Sequence, residues 1–103
     1  MTAQGHPRAI FKRAIERGNI VLAEMTAREL GRVSLEEALQ LLLLYAAHEP
    51  AKFERAALRW LSRYLDEGKD VSLLNAHVAL AALSELRSRE ADAAAKLLVE
   101  LAR

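Results

Sequence analysis

The chain has 103 residues, a formal net charge of +1, 52% hydrophobic residues and no cysteine. That length makes one domain with a single core. The absence of cysteine excludes disulfides, thiolate chemistry and sulfur-ligated metal, and near-neutrality gives the chain as a whole no electrostatic case for nucleic acid or membrane.

Alanine and leucine, both strong helix formers, are the commonest residues, and only two prolines and four glycines interrupt them. An all-α chain is expected. Charge is uneven along it: residues 1–35 and 50–65 are basic, residues 36–49 and 66–103 acidic, so patches should form on the folded surface. Met1–His6 is polar and no apolar segment follows it, so no signal peptide is read and a cytoplasmic location is expected.

Residues 1–6 have little to pack and are expected to form a disordered tail, followed by one all-helical domain over 7–103. Pro7 suits a first helical turn, and Ile10, Phe11, Ala14 and Ile15 mark one face of helix 1. Gly18 stops it and Asn19 caps helix 2, which carries Ile20, Ala23, Ala27 and Leu30 up to Gly31. Ser34-Leu-Glu-Glu37 is a capping box that opens helix 3.

Within helix 3, residues 38–47 contain one polar side chain, Gln40. A helix apolar on every side must be buried on every side. Ten residues cover only about 15 Å, too short to span a bilayer.

Pro50 opens helix 4, in which Phe53, Ala56, Ala57, Trp60, Leu61, Tyr64 and Leu65 follow the i, i+3, i+4 rule up to Gly68. This spacing assigns Trp60 and Tyr64 to packing. Ser72 caps helix 5, nearly as apolar as helix 3 and expected to be buried like it. Ser88 is read as the cap of helix 6, which carries Ala91, Ala94, Ala95, Leu98 and Leu101 inward; one long helix over 72–102 is the alternative.

The chain also matches itself at an offset of 38. Val33, Ser34, Leu35, Ala38 and Leu42 fall on Val71, Ser72, Leu73, Ala76 and Leu80. Phe53, Ala56, Ala57, Trp60 and Leu61 fall on Ala91, Ala94, Ala95, Leu98 and Val99. Three consecutive α-hairpins result, 7–30, 34–67 and 72–103, arranged as a compact bundle or a short α-solenoid.

On these features the chain resembles α-helical hairpin repeat proteins of the TPR and HEAT kind. It departs from the TPR pattern in its longer spacing and in carrying Trp60 and Tyr64 on the second helix of their hairpin. It is also similar to small helical proteins of high-GC bacteria, a resemblance that implies no particular activity.

Catalytic constellations are not found. His6, His48 and His77 form no His-x-x-x-His or Glu-x-x-His pair. Glu36 and Glu37 sit in a first helical turn, where acids favour the dipole, and point about 100° apart. No phosphate loop, nucleophile elbow or acid-rich metal loop is present. No enzyme activity, cofactor or metal is therefore expected.

The candidate site is a surface. Lys52, Arg55, Arg59 and Arg63 on helix 4 fall within about 80° of arc, read as facing away from the Trp60 side. Arginine favours bidentate contact with carboxylate or phosphate. The expected function is a non-catalytic protein–protein interaction module with a protein partner; the alternative is a nucleic-acid-binding regulator using the same stripe. A homodimer is compatible with either reading and membrane association is not expected. Thr26–Ser34 has the outline of a helix-turn-helix turn, but helix 3 offers acids and aliphatics where base-reading groups belong.

Overall fold

The structure, a computed structural model, describes residues 6–103. They form six helices: α1 (Pro7–Arg17), α2 (Ile20–Leu30), α3 (Leu35–His48), α4 (Pro50–Glu67), α5 (Leu73–Ser84) and α6 (Ala91–Ala102). Met1 to Gly5 of the expected tail lie outside the described residues. His6 belongs to the domain, because its Nδ1 accepts the Arg8 backbone N–H at 3.3 Å and caps α1.

Most boundaries follow from local chemistry. Gly18 ends α1 at φ 70°, a left-handed conformation that favours glycine. One residue later the Asn19 side chain accepts the Leu22 N–H at 3.1 Å and starts α2. Both hydrogen bonds of the Ser34–Glu37 capping box form, at 3.0 and 2.8 Å. Arg8 Nη1 lies 2.6 Å from both Glu37 oxygens, so this cap also clasps α1 to the start of α3. Helices 5 and 6 are separate. The cap of α6 is Glu90 rather than Ser88, whose hydroxyl instead bridges the turn between the Glu85 carbonyl and the Glu90 N–H.

Connections are short, so consecutive helices run antiparallel. α3 packs on α4, α4 on α5, α5 on α6, and α6 returns to α3. That return closes the last two hairpins into an up-and-down four-helix bundle. One continuous core fills it, with Leu39, Leu42, Trp60, Tyr64, Ala79 and Leu98 among its most buried residues. Trp60 and Tyr64 stack with ring centroids 5.6 Å apart, and Trp60 Nε1–H donates to the Leu35 carbonyl at 2.8 Å. The first hairpin leans on α3 through a small second core of Phe11, Ala14 and Ala23. Leu41 of α3 packs against that cluster as well as the first. The molecule is accordingly elongated, 46 × 28 × 20 Å.

α3 is thus touched by α1, α2, α4 and α6, which is why its sequence is apolar all round. The expected burial of helix 5 does not hold. α5 sits at a corner of the bundle and packs chiefly on α4 and α6, leaving one side open. The offset of 38 shows the difference. Leu35 is 8% exposed and its counterpart Leu73 is 91% exposed; Leu42 is 2% exposed and Leu80 is 51% exposed. On the second helices the correspondence keeps its environment, with Ala56 and Ala94, and Trp60 and Leu98, all buried. Leu65, assigned inward from periodicity, is also largely exposed, at the edge of the α4 face.

Candidate interaction surface

The four cations of helix 4 do not form a stripe on the back of the helix. On a helical wheel their mean direction lies about 100° from Trp60, to its side, not opposite it. This sideways direction points at α3 and the first hairpin. Lys52 Nζ reaches Glu24 of α2 at 3.0 Å and lies 5.8 Å from the centre of the Tyr45 ring. Arg63 makes two 2.9 Å hydrogen bonds to Glu67 and a third, also 2.9 Å, to the Val33 carbonyl. Arg32 adds a 2.7 Å contact to the same Glu67. Lys52 and Arg63 therefore serve to join α4 to its neighbours.

Arg55 and Arg59 are different. Both are exposed, and among the described residues neither makes an ion pair. They border a groove of about 500 Å³ between α2 and α4, with α3 as its floor. Arg28 of α2, likewise without an ion pair among the described residues, faces them from the opposite rim. Ala27, Leu41 and Ala51 make the lining apolar between the cations.

One polar knot holds this groove in shape. The Tyr45 hydroxyl donates a short hydrogen bond to Glu24 Oε2, the oxygen that Lys52 also approaches. That hydrogen bond, seconded by Lys52 and by the nearby Arg28, holds the Glu24 carboxyl below its ordinary range. Burial, reinforced by the Glu24 charge, pushes the Tyr45 phenol up. Glu24 and Lys52 neutralise each other, so the field in the groove belongs to the three arginines. Helix α2 and Tyr45 are the parts that the sequence reading missed. A signal existed in Glu24 and Arg28 at i, i+4 on one face of α2, but their facing helix 4 depends on how the first hairpin leans.

The remaining candidates do not converge. His48 and His77 are exposed and lie on different helices. Glu37 is occupied by its capping box and by Arg8. Among the described residues no group of three His, Asp or Glu side chains is placed to hold a metal ion, and no helix is long and apolar enough to cross a membrane. Helix α3, enclosed by four neighbours, is not free to enter a DNA groove as a recognition helix. Comparison with protein-family models, with curated proteins and with solved structures finds no match to this chain.

Proposed function

We propose that this chain is a non-catalytic protein–protein interaction module whose α2–α3–α4 groove takes an acidic segment of a partner protein. The observation that carries the reading is the placement of Arg28 on one rim of the groove and Arg55 and Arg59 on the other, with Ala27, Leu41 and Ala51 between them. Guanidinium groups bind carboxylates bidentately and are weakly hydrated, so they lose less than lysines when a ligand covers them. Acidic motifs are commonly read by such arginine clusters. Apolar lining between the cations accommodates an aliphatic side chain beside the carboxylates, a combination found in peptides and absent from a phosphate backbone.

A labelled glutamate-rich peptide containing leucines is the probe, set against a single-stranded oligonucleotide of equal charge. The peptide is expected to bind and to shift amide resonances of α2, α3 and α4. Arg55→Glu with Arg59→Glu should weaken binding at least tenfold, a loss of two charge-assisted contacts, with helicity and melting temperature unchanged. Undiminished binding by that double variant overturns the assignment. Tighter binding of the oligonucleotide, with affinity falling steeply in salt as counterions are released, favours the nucleic-acid reading instead.

A further inference from the structure

The arginine groove does not end at Arg59. A second hollow, of about 430 Å³, opens between α3 and α4. Leu41, Tyr45 and Arg59 line both hollows, which are therefore adjoining parts of one trough. Their chemistry differs. The first holds Arg28, Arg55 and Arg59, whereas Val33, Ala38 and Ala56 line the second, with the buried Leu42 and Trp60 beneath them. The second hollow has a local origin. Ala38 and Ala56 are small where α3 and α4 border it, and α2, which lines the first hollow through Glu24, Ala27 and Arg28, contributes nothing to the second. Two cations border it. Arg63 is engaged by Glu67 and the Val33 carbonyl, while Arg59 makes no ion pair among the described residues.

We propose that this second hollow receives a phenylalanine-sized apolar side chain of the same acidic partner segment, so that the trough reads carboxylates and an apolar anchor at a set spacing. The inference rests on the acidic-segment reading above and adds a second recognised residue to it. Charge complementarity selects the occupant. An apolar residue that arrives beside carboxylates gains contacts in both hollows at once. One flanked by lysine or arginine meets like charge at Arg59 and Arg55, and such juxtapositions suppress wrong partners. A hollow of this size, apolar with a few polar groups at its edge, has the composition of a side-chain or small-ligand pocket.

Helix geometry sets the spacing. Along α4 the first hollow centres near Arg55 and the second near Trp60. That is about five positions, or about 8 Å at 1.5 Å per residue. Acidic runs resist helix formation because like charges one turn apart repel, so the segment binds extended. In extended chain, side chains on one face recur at every second residue, about 7 Å apart. The anchor therefore stands two residues from a carboxylate.

The test is calorimetric titration of the full chain with three peptides. The first is a glutamate–serine peptide without apolar residues, the second carries one phenylalanine two residues from a glutamate, and the third separates the two by a long glycine–serine linker. Phenylalanine at the short spacing should raise affinity about tenfold to a hundredfold, the gain from burying one such side chain, and the linker should remove most of that gain. Trp60, the only tryptophan, lies beneath the second hollow, so its fluorescence should shift with the second peptide and not with the first. Ala38→Leu fills the hollow from within and should abolish the gain while leaving affinity for the first peptide unchanged. The Trp60 signal and the linker comparison need no variant and decide the matter even if Ala38→Leu fails to fold. Binding of the first peptide with no gain from phenylalanine, an unshifted Trp60, equal binding of the linked peptide, or a gain that survives in folded Ala38→Leu overturns this inference and leaves the acidic-segment reading standing. Failure of all three peptides to bind overturns both.

Discussion

Tyr45 does more than fill space. Its ring belongs to the bundle core, while its hydroxyl reaches out to Glu24 of the first hairpin. A hydrogen bond to a charged group contributes more than a neutral one, and losing it costs about 1–2 kcal/mol when the site is partly buried. Tyr45→Phe should lower stability by that amount in urea denaturation and raise the Glu24 pKa toward its ordinary 4.5. The sign of the acid effect follows from linkage. Glu24 is held low in the folded chain, so its contribution is present above pH 4.5 and is lost as pH falls through the folded value. The alkaline side runs the other way. Burial raises both Tyr45 and Tyr64, the only two tyrosines, above their ordinary 10.0. Their contribution is intact below pH 10.0 and is lost as pH rises through the higher folded values. Phenolate absorbance should therefore appear above pH 10 and together with loss of helicity. A tyrosine that ionises at its ordinary pKa in a fully helical chain would contradict this placement of both rings.

At the scale of elements, two glycines that look alike as helix stops do different things. Gly18 has a φ of 70° and open space around it. A side chain there meets only the left-handed penalty, so Gly18→Ala should cost about 1–2 kcal/mol. Gly68 has an ordinary φ of −63° but no room. A Cβ would lie 2.6 Å from Val71 Cγ2 and 2.7 Å from the Tyr64 carbonyl oxygen, which is fixed by the helix. Gly68→Ala should cost about 1–3 kcal/mol by overpacking and displace Val71. Thermal melts of the two variants, with the Val71 methyl resonances as a local reporter, check this: the methyls should move in Gly68→Ala and stay in place in Gly18→Ala. Starts and stops were legible in the sequence wherever one residue decides them, as Asn19, Ser34 and Ser72 do through their own side chains. The start of α6 was not, because Glu90 makes no side-chain cap and the turn before it is held by Ser88. Burial of whole helices was legible for α3 and misleading for α5. Composition reports that a helix is apolar, and only the neighbours determine which sides are covered. The arginine stripe shows the same limit: its spacing is written in α4, while its partition into two joined cations and two without an ion pair among the described residues depends on where Glu24, Val33 and Glu67 come to rest.

For the whole molecule, the decisive feature is that two cores of unequal size meet across α3. The four-helix bundle is closed on itself and contains nearly all of the fully buried large side chains. The first hairpin buries Phe11, Ala14 and Ala23 in its own cluster, with Ile15, Leu22, Ala27 and Leu30 half-buried against them and Thr26 satisfied by carbonyls of its own helix at 2.8 and 3.2 Å. What joins it to the bundle is Ile20, packed against the larger core, together with Leu41, the Arg8–Glu37 contact and the Glu24–Tyr45–Lys52 knot. Exposed ion pairs contribute little, so the hairpin should open before the bundle does. Native-state hydrogen exchange is the measurement. Amides of α1 and α2 should exchange through a partial opening of lower free energy than the global unfolding that exposes α3–α6. Tyr45→Phe should lower protection of the hairpin, and Trp60→Phe, which removes the buried hydrogen bond to Leu35, should lower that of the bundle. The groove proposed to bind an acidic segment has one wall on each unit, with Arg28 on the hairpin and Arg55 and Arg59 on the bundle. A ligand in that groove ties the two together, so it should raise protection of α1 and α2 more than that of α5 and α6. Equal protection across all six helices, with and without ligand, would mean one cooperative unit and would remove this division.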